Sequence, residues 1–169
     1  MTEAPAVALR AVRPGDADGM LAVLEAGQRS WAGFAPAGWK PPPADAAHWV
    51  RELAPHGEWA RVAADGARIV GFTSWGAARD EAFGPVIEGV ANLDALFVHP
   101  DHWRHGIASR LLDAAVEAMR RDGYRWGRLF TPREAPAERF YAARGWIADG
   151  RLAWHDVLGF AVLGYALEL

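Results

Sequence analysis

The hydrophobic pattern changes period several times along the chain, and each change marks an element. Residues 6–13, AVALRAVR, read as a strand that Pro14-Gly15 ends. Asp16 stands where a helix N-cap belongs, ahead of a helical pattern over 17–28. Residues 31–43, WAGFAPAGWKPPP, mix proline, glycine and aromatic residues; they predict a loop whose three consecutive prolines make a stiff extended end. A second short helix is predicted over 44–53. Apolar runs on either side of Asp65-Gly66 predict a hairpin within 57–78. Residues 79–89 predict a loop, and 90–98, VANLDALFV, a strand buried on at least one face. Helical period returns over 106–121. Ile107, Leu111, Leu112, Ala115 and Met119 fall on one side, Arg110, Asp113, Glu117 and Arg120 on the other, and Gly123 stops the helix. A strand over 124–131, a helix over 135–144 stopped by Gly145, and two strands within 146–169 complete the pattern. Strands alternating with helices, without an internal repeat, predict one α/β domain spanning 1–169.

Composition narrows the chemistry. The 169 residues are 51% apolar and 23% charged, enough for the core of one globular domain. A net charge of −3 gives no general affinity for nucleic acid. The absence of cysteine excludes a disulfide framework, a thiolate zinc site and a cysteine nucleophile together. The N-terminus has neither a basic n-region nor an apolar h-region, and no apolar run approaches the roughly 18 residues of a membrane span. A soluble, cytoplasmic protein with no membrane partner is therefore expected. Nine tryptophans are many for this length; on loops they would mark a ligand pocket or an interface rather than core.

The most informative stretch is FVHPDHWRHGIASRLL, residues 97–112. A strand ends, a basic pair follows, and a lone glycine opens a helix. The first turn of a helix carries unpaired N–H groups and a partial positive charge, and after a strand end that terminus binds phosphate. Gly106 lets a bulky anion approach the backbone, Arg104 and His105 add charge, and Ser109 can offer a hydroxyl. The site favours a diphosphate. The Walker pattern is absent, and only one of the three glycines of the dinucleotide fingerprint is present. A plain strand-to-helix turn with a solvated basic pair would look the same from this stretch alone. His99, His102 and His105 recur at three-residue spacing, but Pro100 interrupts them and they precede the helix, so no metal is expected. His48, His56 and His155 read as ordinary surface or partly buried polar residues.

LDALFVHPDHWRHGIASRLL, followed some thirty residues on by ERFYAARGW, resembles the GNAT superfamily of acetyl-CoA-dependent N-acetyltransferases. The resemblance runs in order over nearly the whole chain. It implies a GNAT-like α/β fold, a mixed, twisted six- to seven-stranded sheet flanked by about four helices, with acetyl-CoA as co-substrate and no metal. The family's phosphate-loop signature, [QR]-x-x-G-x-[GA], falls on Trp103 to Ala108; Gly106 and Ala108 match, and Trp103 departs from it. The resemblance assigns the diphosphate to Arg104, His105, Gly106, Ile107, Ala108 and Ser109. It assigns backbone pairing with the pantetheine arm to Leu96, Phe97 and Val98. A second family pattern, N-x-x-A-x-x-F-Y-x-x-x-G-[FW], fits at Ala137, Phe140, Tyr141, Gly145 and Trp146, whereas Glu134 occupies the asparagine position. Further cofactor contacts are implied at Glu134, Ala137, Phe140, Tyr141 and Arg144.

Tyr141 takes the family's general-acid role. The chemistry agrees, because a tyrosine of ordinary pKa near 10 stays protonated at pH 7 and can donate toward a departing thiolate. Phe140 is expected to pack inward, and Tyr141 to point to the gap between the two parted strands. The base is less defined. The family's glutamate position falls on Asn92, which cannot act as one. Asp94, two residues on along the same strand face, can act directly or through water, and Glu88 upstream reads as a solvated loop residue. Trp31, Phe34, Trp39 and Phe83, with Asn92, are expected to line a largely apolar acceptor pocket. It would take a small-molecule amine or a peptide N-terminus. A CoA-binding regulatory module without catalysis and an acyltransferase using a longer acyl-CoA are the alternatives. The final strand, AVLGYALEL, is long and apolar. An exposed edge of that kind, in a family that often dimerises through C-terminal strands, predicts a homodimer.

Overall fold

The computed structural model describes residues 7–42, 57–80 and 84–169. Seven strands form one sheet: β1 (Ala8–Ala11), β2 (Ala60–Asp65), β3 (Arg68–Arg79), β4 (Val86–Val98), β5 (Trp126–Pro132), β6 (Ile147–His155) and β7 (Phe160–Glu168). Their order is β1-β2-β3-β4-β5-β7-β6. The described α-helices are α1 (Ala17–Arg29), α2 (Ile107–Arg121) and α3 (Ala137–Ala142). The helix predicted over 44–53 lies outside the described residues, as do His48, His56 and Phe83. β4 and β5 pair in parallel, whereas β1/β2, β2/β3, β5/β7 and β6/β7 are antiparallel, so the sheet is mixed.

The chain condenses into two compact units. In the first, which includes β1, α1, β2 and Ala95–Ala115, the apolar stripe of α1 is Met20, Val23 and Leu24. It packs on Val12, Val62, Phe72 and Ala95. The N-terminal half of α2 buries Ile107 and Leu111 against Ala63, Val70 and Val98. The second unit comprises Trp31–Lys40, Trp75–Asp94 and Val116–Leu169. Here Met119 of α2 and Trp146 close over Gly127 of β5, whose missing side chain leaves them room. All five apolar residues predicted for the inner side of α2 are buried. No helix among the described residues is long and apolar enough to cross a membrane.

Several expectations are corrected. Asp16 does not cap α1. Its carboxylate takes two hydrogen bonds from Arg10 (2.7 and 2.8 Å) and one from the Arg13 N–H (2.8 Å). That guanidinium holds the Asp16 carboxyl below the usual carboxylate range. β4 starts at Val86, so part of the predicted loop 79–89 is strand and Glu88 is an exposed strand residue rather than a loop residue. The final strand is not an edge. β7 lies between β5 and β6, and β6 is the edge strand.

Candidate active site

The turn between β4 and α2 is built by tertiary constraints at both ends. The His99 N–H donates to Val70 O (2.8 Å), and the Trp103 indole N–H donates to Val98 O (2.7 Å). Trp103, where the family pattern has a polar side chain, therefore clamps the turn back onto the strand end while staying 47% exposed. Arg104 (φ +64°) and Gly106 (φ +73°) both adopt left-handed backbone, on either side of His105. Left-handed residues alternating with right-handed ones draw successive N–H groups toward one point, which is the form of an anion-binding concavity. A Cβ added at Gly106 would meet no atom within 4 Å. The glycine is thus needed for its backbone angle, and the space beside it is open. Arg104, His105 and Gly106 are exposed, Ala108 and Ser109 half-buried, and Ile107 buried as the helix anchor. This geometry fits a diphosphate.

Upstream of the turn, Leu96 and Phe97 are half-buried and Val98 is buried. Phe97 stacks on Phe72 at 5.7 Å. The register of β4 with β5 spans Val90–Leu93 against Trp126–Leu129. Leu96–Val98 lie past it. His99 and His102 sit edge to face at 6.4 Å, and the Asp101 N–H donates to His99 Nδ1 (3.3 Å). Among the described residues no three His, Asp or Glu side chains could hold a metal together.

In the second unit, α3 is shorter than predicted, and Tyr141 rather than Phe140 is the buried aromatic of the pair. Tyr141 is 7% exposed and packs against Trp146 (6.0 Å) and Tyr165 (6.4 Å). Phe140, expected inward, is only half-buried; the Arg144 guanidinium lies 3.9 Å over its ring, and Arg144 Nη1 donates to Phe140 O (3.1 Å). Burial pushes the Tyr141 phenol well above its ordinary value, so it stays protonated. Glu134 has left-handed backbone (φ +67°). Its N–H donates to Glu138 Oε2 (2.7 Å), and the other oxygen of Glu138 accepts from the Tyr165 hydroxyl (2.9 Å). Ala137 opens the helix immediately after this turn.

Asp94 and Asn92 share a face of β4. The Asn92 amide donates to Asp94 Oδ1 at 2.6 Å. The Asp94 carboxylate reaches solvent, yet protein surrounds its other sides, and that loss of water raises its pKa against the lowering effect of Asn92. The other carboxylate oxygen faces the bare Cα of Gly76; a Cβ there would lie 3.6 Å away.

Three of the four predicted acceptor-side aromatics come together. Trp31 packs with Phe34 (6.3 Å) and Trp39 (6.0 Å), and both tryptophans contact Phe160 of β7 (5.8 and 5.6 Å). The Trp39 indole N–H donates to Leu158 O (2.6 Å), which ties the loop to the final hairpin. His155 serves the same hairpin, its Nδ1 accepting from the Leu158 N–H (3.2 Å). Sequence reasoning missed Phe160. It also missed Arg128 and Phe130 of β5 and Arg151 of β6, although the alternation Trp126, Arg128, Phe130 was visible in the predicted strand.

The acetyltransferase (GNAT) family profile matches residues 24–146. The chain belongs to the GNAT acetyltransferase family. A search of the curated proteins gives no match. Among solved structures, the chain is similar to an acetyltransferase of the GNAT family from Desulfovibrio desulfuricans, at 25% identity and a TM-score of 0.72, over 96% of this chain and 99% of that one. The fold is shared with YncA from Salmonella typhimurium, an acetyltransferase solved with its cofactor acetyl-CoA (16% identity, TM-score 0.70, 97% and 94% covered). It is also shared with the ribosomal-protein-alanine N-acetyltransferase of Brucella melitensis (18% identity, TM-score 0.71, 96% and 99% covered).

Proposed function

We propose that the chain, acting as one domain over 1–169, transfers the acetyl group of acetyl-CoA directly to an amine in a ternary complex. The observation that carries this reading is the paired left-handed backbone at Arg104 and Gly106 opening α2, with free space at Gly106. In this reading the CoA diphosphate binds the backbone of 104–109, and the pantetheine arm pairs with Leu96–Val98, past the β5 register. The amine nitrogen attacks the thioester carbonyl and the carbon–sulfur bond breaks. The amine's proton leaves to Asp94, directly or through water, and Tyr141 protonates the CoA thiolate. No protein nucleophile is required. The aromatic group Trp31, Phe34 and Trp39, extended by Phe160, forms the apolar wall of the acceptor side. The acceptor is a small amine or a peptide N-terminus. The test follows CoA release from acetyl-CoA and from longer acyl-CoAs, with and without a panel of amines. Amine-dependent release with acetyl-CoA is expected, and release independent of every amine would overturn the reading.

Asp94 works as a base only when ionised, and its pKa is raised. The rate is therefore expected to fall as pH drops through a value above the ordinary carboxylate pKa of about 3.9. In Asp94→Asn this acid limb should vanish from the kcat/KM profile, and kcat/KM at neutral pH should fall roughly 10²-fold. An unchanged profile would assign the proton to water alone.

The chain is proposed to be cytoplasmic and a homodimer, joined through β6 rather than through its last strand. The edge strand and its turn expose Ile147, Leu152, Trp154 and Val157, and an edge of that kind favours pairing. Light scattering at tens of micromolar should give a dimer mass, and Trp154→Glu a monomer. A monomeric wild type would overturn the assembly.

A further inference from the structure

We propose that the outward face of β5 holds an anion seat made by Arg128 and Arg151, and that the acceptor amine carries a carboxylate at its far end. This rests on the acetyl-transfer reading above and narrows its acceptor.

β5 is an interior strand, with β4 on one side and β7 on the other. The outward side chains of such a strand are ordinarily covered by a helix or a second layer. Here Trp126 and Phe130 are 44% and 42% exposed, with Arg128 between them. Two large aromatics flanking a cation on an open sheet face mark a binding surface rather than a chance exposure. The surface lies beside the proposed base. Arg128 is the register partner of Asn92, whose amide holds Asp94.

Arg151 reaches this surface from β6 by crossing β7 at Gly164. A Cβ on Gly164 would lie 2.8 Å from Arg151 and 2.5 Å from the Asp149 carboxylate, so the glycine makes the crossing possible. The Arg151 guanidinium ends 4.5 Å over the Phe130 ring. Its Nε donates to Asp149 (2.7 Å) and its Nη2 to the carbonyls of Leu129 (3.3 Å) and Tyr165 (3.2 Å). Arg128 donates one Nη2 bond to the Arg79 carbonyl.

Two needs remain unmet. Among the described residues, Arg128 Nε and Arg151 Nη1 are buried and have no hydrogen-bond partner. The two cations also repel each other. Burial and the nearby Arg151 charge lower the Arg128 pKa, against the attraction of Asp80 and Asp149. An unpaired buried N–H on a charged group is costly; a carboxylate seated on this face would add one negative charge beside the two cations and, with a small turn of the guanidiniums, supply paired acceptor oxygens. Asp80 and Asp149 make a monoanion a better fit than a phosphate dianion. A step across one strand pair and two residues along it separates Asp94 from Arg128, roughly 8 Å by strand geometry. The acceptor must therefore place several bonds between its amine and its carboxylate, with an apolar body against Trp126 and Phe130.

The test uses the whole protein and two isosteric probes without an amine, 4-methylbenzoate and its neutral amide, titrated by calorimetry. The benzoate is expected to bind at least ten-fold tighter. Arg128→Met and Arg151→Met should each erase that preference, with melting curves establishing that each variant is folded. Equal binding of the two probes by the wild type overturns the seat whether or not a variant folds. A second arm compares acetyl transfer to 4-(aminomethyl)benzoate and to 4-methylbenzylamine, where the carboxylate should raise kcat/KM at least ten-fold. Equal kcat/KM for both overturns the seat alone. A binding preference for benzoate with no transfer to any amine overturns the acetyl-transfer reading and leaves the seat standing.

Discussion

Replacing Tyr141 with phenylalanine lowers kcat for acetyl transfer by about 10²–10⁴-fold, the usual worth of a positioned general acid, and leaves folding and CoA affinity intact. The variant removes one oxygen. No described residue accepts a hydrogen bond from that hydroxyl, so its loss breaks no contact of the folded protein, and the ring keeps its packing against Trp146 and Tyr165. Burial raises the phenol pKa, which guarantees a proton to give at any assay pH but makes the phenol a weaker acid. Donation is nonetheless favourable in the transition state. A thiolate leaving into a water-poor site loses hydration too, and its conjugate acid, near 8.5 in water, shifts upward in the same direction. The wild type should show no alkaline limb from Tyr141, because its ionisation lies beyond the assay range. The defect should shrink at high pH if deprotonating the amine limits the wild-type rate. Stopped thioester assays on a good acceptor, with melting curves beside them, measure all three. A full kcat in the phenylalanine variant would remove Tyr141 from the chemistry.

What was legible in the sequence is what local periodicity governs. The inner side of α2 could be read residue by residue because its neighbours at three and four positions pack on one surface. The β4–α2 turn was legible because a glycine at a left-handed position leaves its mark in the chain. The strand order was not. β7 inserts between β5 and β6, and this pairing of distant segments made an interior strand of what read as an apolar edge. The same insertion brings Arg151 over Phe130, across the one residue of β7, Gly164, that lets it pass. Asp16 failed as a cap for a related reason. Arg10 on β1 offers it two charge-assisted bonds, stronger than a bond to a helix N–H. The burial of Tyr141 over Phe140 followed from where Trp146 and Tyr165 fall, and periodicity alone cannot separate two adjacent aromatics on a six-residue helix.

Gly106→Glu should abolish most CoA binding, weakening it by about 10²-fold or more, while the fold survives. Two effects act together. Glutamate at φ +73° carries the strain of a left-handed backbone, roughly 1–2 kcal/mol for a residue with a Cβ. Its carboxylate would occupy the open space beside the turn and face the diphosphate, where two like charges about 5 Å apart repel by roughly 3 kcal/mol at an effective dielectric constant near 20. That repulsion alone corresponds to about 10²-fold in affinity. Gly106→Ala separates the two. It adds the strain without the charge, so it should lower the melting temperature by a similar amount and cost affinity far less. Neither variant touches the anchors of the turn, since Ile107 stays buried and Trp103 still binds Val98 O. Calorimetric titration with CoA against melting curves reads both effects. A glutamate variant that binds CoA as the wild type does would move the diphosphate away from this turn, and with it the assignment of Arg104 to Ser109.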